Sequence, residues 1–155
     1  MGKTAREIVD TGIVDDLRRA YCDEWLAYYL YAFMAATVSG NLYPQLKEML
    51  EGISKAEYEH SQELADMIVK LGGAIPSDPM DLEDGANNSV IIPDSPLDLD
   101  CVLEAVAKSE AGAILVYNEL ARKTKDTDIA TYQLVAHILA EEIDHEEQFE
   151  NLGGK

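Results

Sequence analysis

Basic residues are scarce in this chain. Twelve lysines and arginines stand against thirty aspartates and glutamates, a formal charge of -18 over 155 residues. That balance argues against nucleic acid as a partner, because binding it rests on cationic contacts to phosphate. Metal cations are attracted instead. Cysteine is nearly missing: Cys22 and Cys101 form no CxxC and no repeat. This excludes a disulfide scaffold and fits a reduced, cytoplasmic setting. No apolar run approaches the roughly 18 residues of a membrane span, and "MGKTAREIVDTG" at the N-terminus lacks the apolar stretch of a secretory signal. Proline is rare, and four of the five fall in one stretch, from Pro76 to Pro96. Period-two patterns of useful length are absent, so a sheet is not expected.

What is present is helical period. Four segments carry it, over about 13–39, 42–71, 97–124 and 127–152. The first stops at Ser39-Gly40-Asn41 and the second at Gly72-Gly73, a common C-terminal signal. Pro44 falls in the first turn of the second, where proline is tolerated. Asp98 or Asp100 suits the N-terminal dipole of the third, and the fourth ends at Gly153-Gly154. Residues 72–96 form the proline-rich connection, with room for one short helical turn and a brief extended piece at "SVII". The expected fold is a single all-α domain over 1–155: a four-helix bundle with two tight turns and one long crossover between helices 2 and 3.

Each helix has an apolar stripe at the three-four spacing that marks a buried seam. In the first, Leu17, Glu24, Tyr31 and Val38 fall seven apart. In the third, Leu103, Glu110, Tyr117 and Thr124 do the same, with Val106, Ala107, Ala113 and Ile114 beside them. The second and fourth stripes hold Glu57-x-x-His60 and Glu142-x-x-His145. Residues three apart share a helix face, so each Glu-His pair points one way. Glu24 and Glu57 are equidistant from the Gly40-Asn41 turn, and Glu110 and Glu142 from Asp126. All six therefore stand at one depth. The halves also repeat: Glu24 to Glu110 and Tyr31 to Tyr117 are both 86 apart, Glu57 to Glu142 and His60 to His145 both 85 apart.

Four carboxylates and two imidazoles do not share a dry core unaided, since desolvation costs several kcal/mol per ion. Two divalent cations would neutralise the four carboxylates. One Glu from each of two helices plus Glu-x-x-His from each of the other two is a di-iron or di-manganese donor set. A lone ExxH carries little weight in so acidic a chain, as the neighbouring Glu59-x-x-Gln62 and Glu141-x-x-Asp144 show; the matched set of six carries the inference. Packing is the expected role of Tyr31 and Tyr117, with a hydrogen bond to a ligand or a radical role as the alternative. Glu63 is a weaker candidate for a further metal. His137 is expected at a surface or interface, and Trp25 at a helix or subunit contact. Cys22 and Cys101 lie too far apart in height to pair.

Through Glu24, "EYEH" (57–60), Glu110 and "EIDH" (142–145), the chain resembles the ferritin-like superfamily over nearly its whole length. It is most similar to bacterioferritin and to Dps-like proteins with a bacterioferritin-type site. The resemblance implies that Glu57 and Glu142 bridge two metals, with Glu24, His60, Glu110 and His145 as terminal ligands. Tyr31 matches a tyrosine often found near this centre. The implied activity is ferroxidation: Fe(II) oxidised by peroxide or dioxygen at two irons per chain, for iron storage and protection from oxidative stress. Manganese or zinc could substitute. Tyr58 stands where bacterioferritin has its haem-ligating methionine, so no haem is expected. The chain stops ten residues after His145, which favours a twelve-subunit cage over a 24-subunit shell. Only Cys101 could match the cysteine pair of some archaeal members. With no basic tail, direct DNA binding is not expected; with no rubredoxin-like CxxC pair, neither is a complete rubrerythrin. A rubrerythrin-like peroxidase without mineral storage, a manganese catalase and a non-catalytic iron carrier are the rival readings.

Overall fold

The computed structural model describes residues 11–38 and 43–153, and among these residues are four long helices and one short one. They are α1 (Thr11–Thr37), α2 (Tyr43–Lys70), α3 (Asp81–Gly85), α4 (Leu99–Thr124) and α5 (Ile129–Gly153). No strand occurs among the described residues, and residues 89–92, the "SVII" piece, pair with nothing as a ladder. Among the described residues no helix is long and apolar enough to cross a membrane.

The helix limits differ from the sequence reading by a few residues, for local reasons. The third long helix begins at Leu99 rather than at 97, because the Asp98 carboxylate caps it by accepting the Cys101 amide at 3.1 Å. The fourth begins at Ile129 rather than at 127. The Thr127 hydroxyl bonds back to the Lys123 carbonyl at 2.9 Å, so that residue still belongs to the turn. Asp128 then accepts the Thr131 amide at 3.2 Å. Helix α2 closes where the glycines predict. Gly72 has φ 91°, and the Gly73 amide reaches the Ile68 carbonyl at 2.9 Å, a glycine C-cap. The Ser39-Gly40-Asn41 stop, the Leu42 start and Gly154 lie outside the described residues.

Helices α1 and α2 pack along one another, and so do α4 and α5. Within the first pair Ser54 donates to the Tyr28 carbonyl at 3.0 Å and Gly73 abuts Val14, so the two helices are antiparallel. Across the pairs Tyr31 reaches Glu110 and Tyr117 reaches Glu24, which makes α1 and α4 antiparallel too. Helices α2 and α4 therefore run the same way, and residues 71–98 must travel back the length of the bundle.

The apolar core is in two parts. One cluster holds Leu17, Tyr21, Leu64, Ile68 and Ile138; the other holds Met34, Leu46, Leu50, Val106 and Phe149. Between them lie the six acidic and imidazole side chains, all buried. Of the expected stripe residues on α4, Ala107 is exposed; Val102 and Ala105 are buried in its stead. The helical period places 102, 106, 110, 117 and 120 together, and 107 lies off that face.

The crossover is stapled to α1 by one carboxylate. Asp23 accepts the backbone amides of Asn87 and Asn88, each at 2.9 Å, and the Asn87 side-chain amide at 2.6 Å. Burial pushes its carboxyl up to about 6, so it is ionised at neutral pH and accepts all three bonds. Asp23→Ala should increase protease cleavage within residues 86–92 and lower unfolding free energy by about 1 kcal/mol. Limited proteolysis and urea denaturation measure this, and no change in either would remove the staple from the account.

Candidate metal centre

Each long helix contributes to the polar band from the middle of its buried stripe. Glu24 comes from α1, Glu57 and His60 from α2, Glu110 from α4, and Glu142 and His145 from α5. None is more than 7% exposed. Their ligand atoms form two groups, Glu24-Glu57-His60-Glu142 and Glu57-Glu110-Glu142-His145, each within 4.8 Å overall.

The two groups share Glu57 and Glu142, and each shared carboxylate turns one oxygen to each group. His60 Nδ1 lies 3.4 Å from Glu57 Oε2 and 3.1 Å from Glu142 Oε1. His145 Nδ1 lies 3.7 Å from Glu57 Oε1 and 3.8 Å from Glu142 Oε2. Glu24 completes the first group at 3.5 Å from His60 Nδ1, and Glu110 the second at 3.8 Å from His145 Nδ1. The imidazole centroids are 6.2 Å apart.

Hydrogen bonding leaves inward-facing atoms over. His60 Nδ1, His145 Nδ1, Glu110 Oε2 and Glu142 Oε1 are buried without a hydrogen-bond partner. Buried polar atoms are rarely left so. Nitrogen and carboxylate oxygen converging at these spacings suit a divalent metal ion in each group, and the residues fit two such ions.

The electrostatics point the same way. Burial raises Glu57 well above the ordinary carboxylate range, and the charges of Glu142 and Glu24 add to it. Burial and the Glu142 charge raise Glu110 likewise. Burial opposes the charged form of His60, yet the close carboxylates of Glu142, Glu24 and Glu57 outweigh it and push the imidazole far up. Burial also opposes ionisation of Glu142, but the adjacent His145 and His60 imidazoles bring it down to about 2. Such a cluster holds cations of one kind or another: protons on Glu57, Glu110 and His60, or metal ions in their place.

Tyrosines brace the ligands from the opposite hairpin. The Tyr31 hydroxyl on α1 donates to Glu110 on α4, and the Tyr117 hydroxyl on α4 donates to Glu24 on α1. Burial raises both phenols well above their ordinary value, the neighbouring glutamate charge adding to it, and keeps them neutral donors. Each thus combines packing with a ligand hydrogen bond, roles set apart as alternatives in the sequence. Glu63 is exposed and belongs to neither group. His137 is half-exposed, and Trp25 packs edge-on against Tyr21, Tyr28 and Tyr58. Both cysteines are free.

One residue of the site was passed over in the sequence. Glu141 accepts a hydrogen bond from His60 Nε2 at 2.7 Å, and this bond draws its carboxyl below the ordinary range. Its partner is on another helix, 81 residues away, so no local pattern marks it. The available signal was its place directly before Glu142, which both groups share.

A cavity of about 240 Å³ adjoins the cluster. It lies between α1 and α4 beneath crossover residues 88–91, and its walls include Glu24, Glu57, Glu110, Glu142 and Lys108.

Because metal must displace protons from Glu57, Glu110 and His60, affinity should rise with pH and fall on acidification. Zn(II) binding at neutral pH should release protons, seen as a dependence of calorimetric heat on the buffer's ionisation enthalpy. Bound metal should be lost below about pH 5. Full retention at pH 4 would contradict the ligand assignment.

The family model described as ferritin-like domain matches residues 14–155. The "DNA protection during starvation protein" of Pyrococcus furiosus is 30% identical over 141 residues, covering 90% of this chain and 76% of the relative. Among solved structures, a dodecameric thioferritin, the bacterioferritin-related protein of Bacteroides fragilis, superposes with a TM-score of 0.93 at 32% identity. That match covers 97% of this chain and 92% of the other. Dps of Listeria monocytogenes shares the fold at a TM-score of 0.86 and 18% identity, covering 95% of each chain.

Proposed function

The chain belongs to the ferritin-like domain family, and we propose that it is a ferroxidase of an iron-storing assembly. Its substrate is Fe(II), two ions per chain. Glu57 and Glu142 would each span both ions, while Glu24 with His60 and Glu110 with His145 would complete one position each. The observation that carries this reading is the division of oxygens: both shared carboxylates present one oxygen to each imidazole.

Bound together, two Fe(II) supply two electrons, enough to reduce one hydrogen peroxide with two protons to two waters, or one dioxygen to peroxide. The protein's part is to hold the pair, screen their charges and admit the oxidant. Four carboxylates neutralise two Fe(II), and the further charge of two Fe(III) is left unbalanced. Tyr31 and Tyr117 hold Glu110 and Glu24 in place through the exchange. The cavity beneath residues 88–91 is the route proposed for peroxide or dioxygen. Oxidised iron then passes to storage; where peroxide is the oxidant, this removes both reactants of radical-forming chemistry.

Storage requires an enclosed volume, and we assign the chain to a cage, with twelve subunits favoured. Support comes from the dodecameric B. fragilis protein. Large apolar side chains bared on the helix surfaces, among them Tyr29 and Leu115 at 72% and 71% exposure, are available for subunit contacts. Manganese or zinc would occupy the same ligands without the same turnover.

An anaerobic Fe(II) titration of metal-free protein followed by a peroxide pulse tests the activity. Saturation at two irons per chain with fast oxidation is expected. Glu57→Ala and Glu142→Ala should each abolish the fast phase while circular dichroism stays helical; unchanged rates in both would overturn the assignment. Binding without oxidation would indicate an iron carrier. Sedimentation should give about 205 kDa, twelve chains of 17.1 kDa. A small oligomer that turns over peroxide with an electron donor would indicate a peroxidase without storage.

A further inference from the structure

The repeat that relates the two half-sites extends beyond the ligands and then breaks at one position. Tyr31 braces Glu110 and Tyr117 braces Glu24, so the phenols obey the two-fold relation. Glu141 does not. It stands directly before bridging Glu142 and bonds His60 through Nε2 at 2.7 Å. The residue directly before bridging Glu57, 85 positions earlier like the bridging pair itself, is Ala56. Both positions are partly exposed on the same face of their helices, but alanine has no acceptor to offer His145. Among the described residues no carboxylate reaches His145 Nε2; its ion-pair contacts all run through Nδ1. Its side chain is also the more exposed of the two, at 8% against 2% for His60.

The consequence follows from the chemistry of imidazole ligands. A carboxylate that accepts from Nε2 fixes the tautomer with its lone pair on Nδ1, which in His60 faces Glu24, Glu57 and Glu142. It also makes that nitrogen more basic and holds the ring against rotation. Glu141 is directed inward: its other oxygen is 3.8 Å from His137 Nε2, beyond a hydrogen bond. His145 has no such support and must be oriented as metal arrives.

We propose that the two metal positions are unequal: the position formed by Glu24, Glu57, His60 and Glu142 binds first and more tightly, with Glu141 as its positioning residue. This rests on the two-metal reading given above. It assigns each half of the centre a role. The His60 position stays filled at low metal concentration, and the His145 position, nearer to solvent, is the one that loads and empties.

Calorimetric titration of the metal-free protein with Zn(II) tests this without reference to turnover. Repulsion between two bound cations splits binding into two steps by itself, so the decisive readout is which step a variant moves. Glu141→Ala should weaken the tighter step by about 10–100-fold, the usual effect of losing such a partner, and leave the weaker step near its original value. Glu141→Gln, which keeps an acceptor without charge, should recover part of the loss. Ala56→Glu should strengthen the weaker step. His145→Ala should remove the weaker step and spare the tighter. The inequality is overturned if Glu141→Ala moves neither step or only the weaker one, or if His145→Ala removes the tighter step. Absence of Zn(II) binding in the unaltered chain would instead overturn the two-metal reading, and this proposal with it.

Discussion

Mutual repulsion among four glutamates at one depth of a helix bundle governs this structure. Glu24, Glu57, Glu110 and Glu142 are each at most 3% exposed, so bulk solvent does little to screen their charge. Only cations among them make the arrangement tolerable. The two imidazoles, the bracing phenols and the division of the apolar core into two clusters all serve that requirement. An apolar core running unbroken through the bundle would be the more stable choice for a protein that needed only to fold. The polar band interrupts it, which is the pattern expected where a functional site is built into the interior at some expense of stability.

Long-range placement was legible in the sequence because it reduces to two periodicities. Helical period set the face of each ligand, and the distance from each turn set its height. The crossover length then fixed which helices run together. Glu57, His60, Glu142 and His145 could therefore be brought to one level without coordinates, and the structure groups them with Glu24 and Glu110. The same reasoning misplaced Ala107, because at the edge of a stripe a one-residue difference turns a side chain by about 100°.

What remained hidden depends on pairs of side chains rather than on period. Glu141 lies on the flank of its helix, and its role exists only because His60 comes within 2.7 Å from another hairpin. Asp23 is similar: an acid on the shoulder of α1 acquires meaning from two asparagine amides in an irregular connection. Such contacts have no period of their own. They are resolved once backbones are in place, and the sequence offers too many acids to single them out beforehand.

The cross-bracing by tyrosine has a bearing on how such a chain could arise. Tyr31 holds a ligand of the other hairpin, and Tyr117 returns the favour. A lone hairpin would carry ligands whose supports lie elsewhere, whereas two identical hairpins related by a dyad would complete each other. A centre of this kind is thus attainable by a short ancestral peptide that dimerises, before any gene fusion. Identical copies, however, can carry only one residue at the position now occupied by Ala56 and Glu141. Covalent joining of the halves by the crossover removes that restriction, and the two equivalent positions can hold alanine on one side and glutamate on the other.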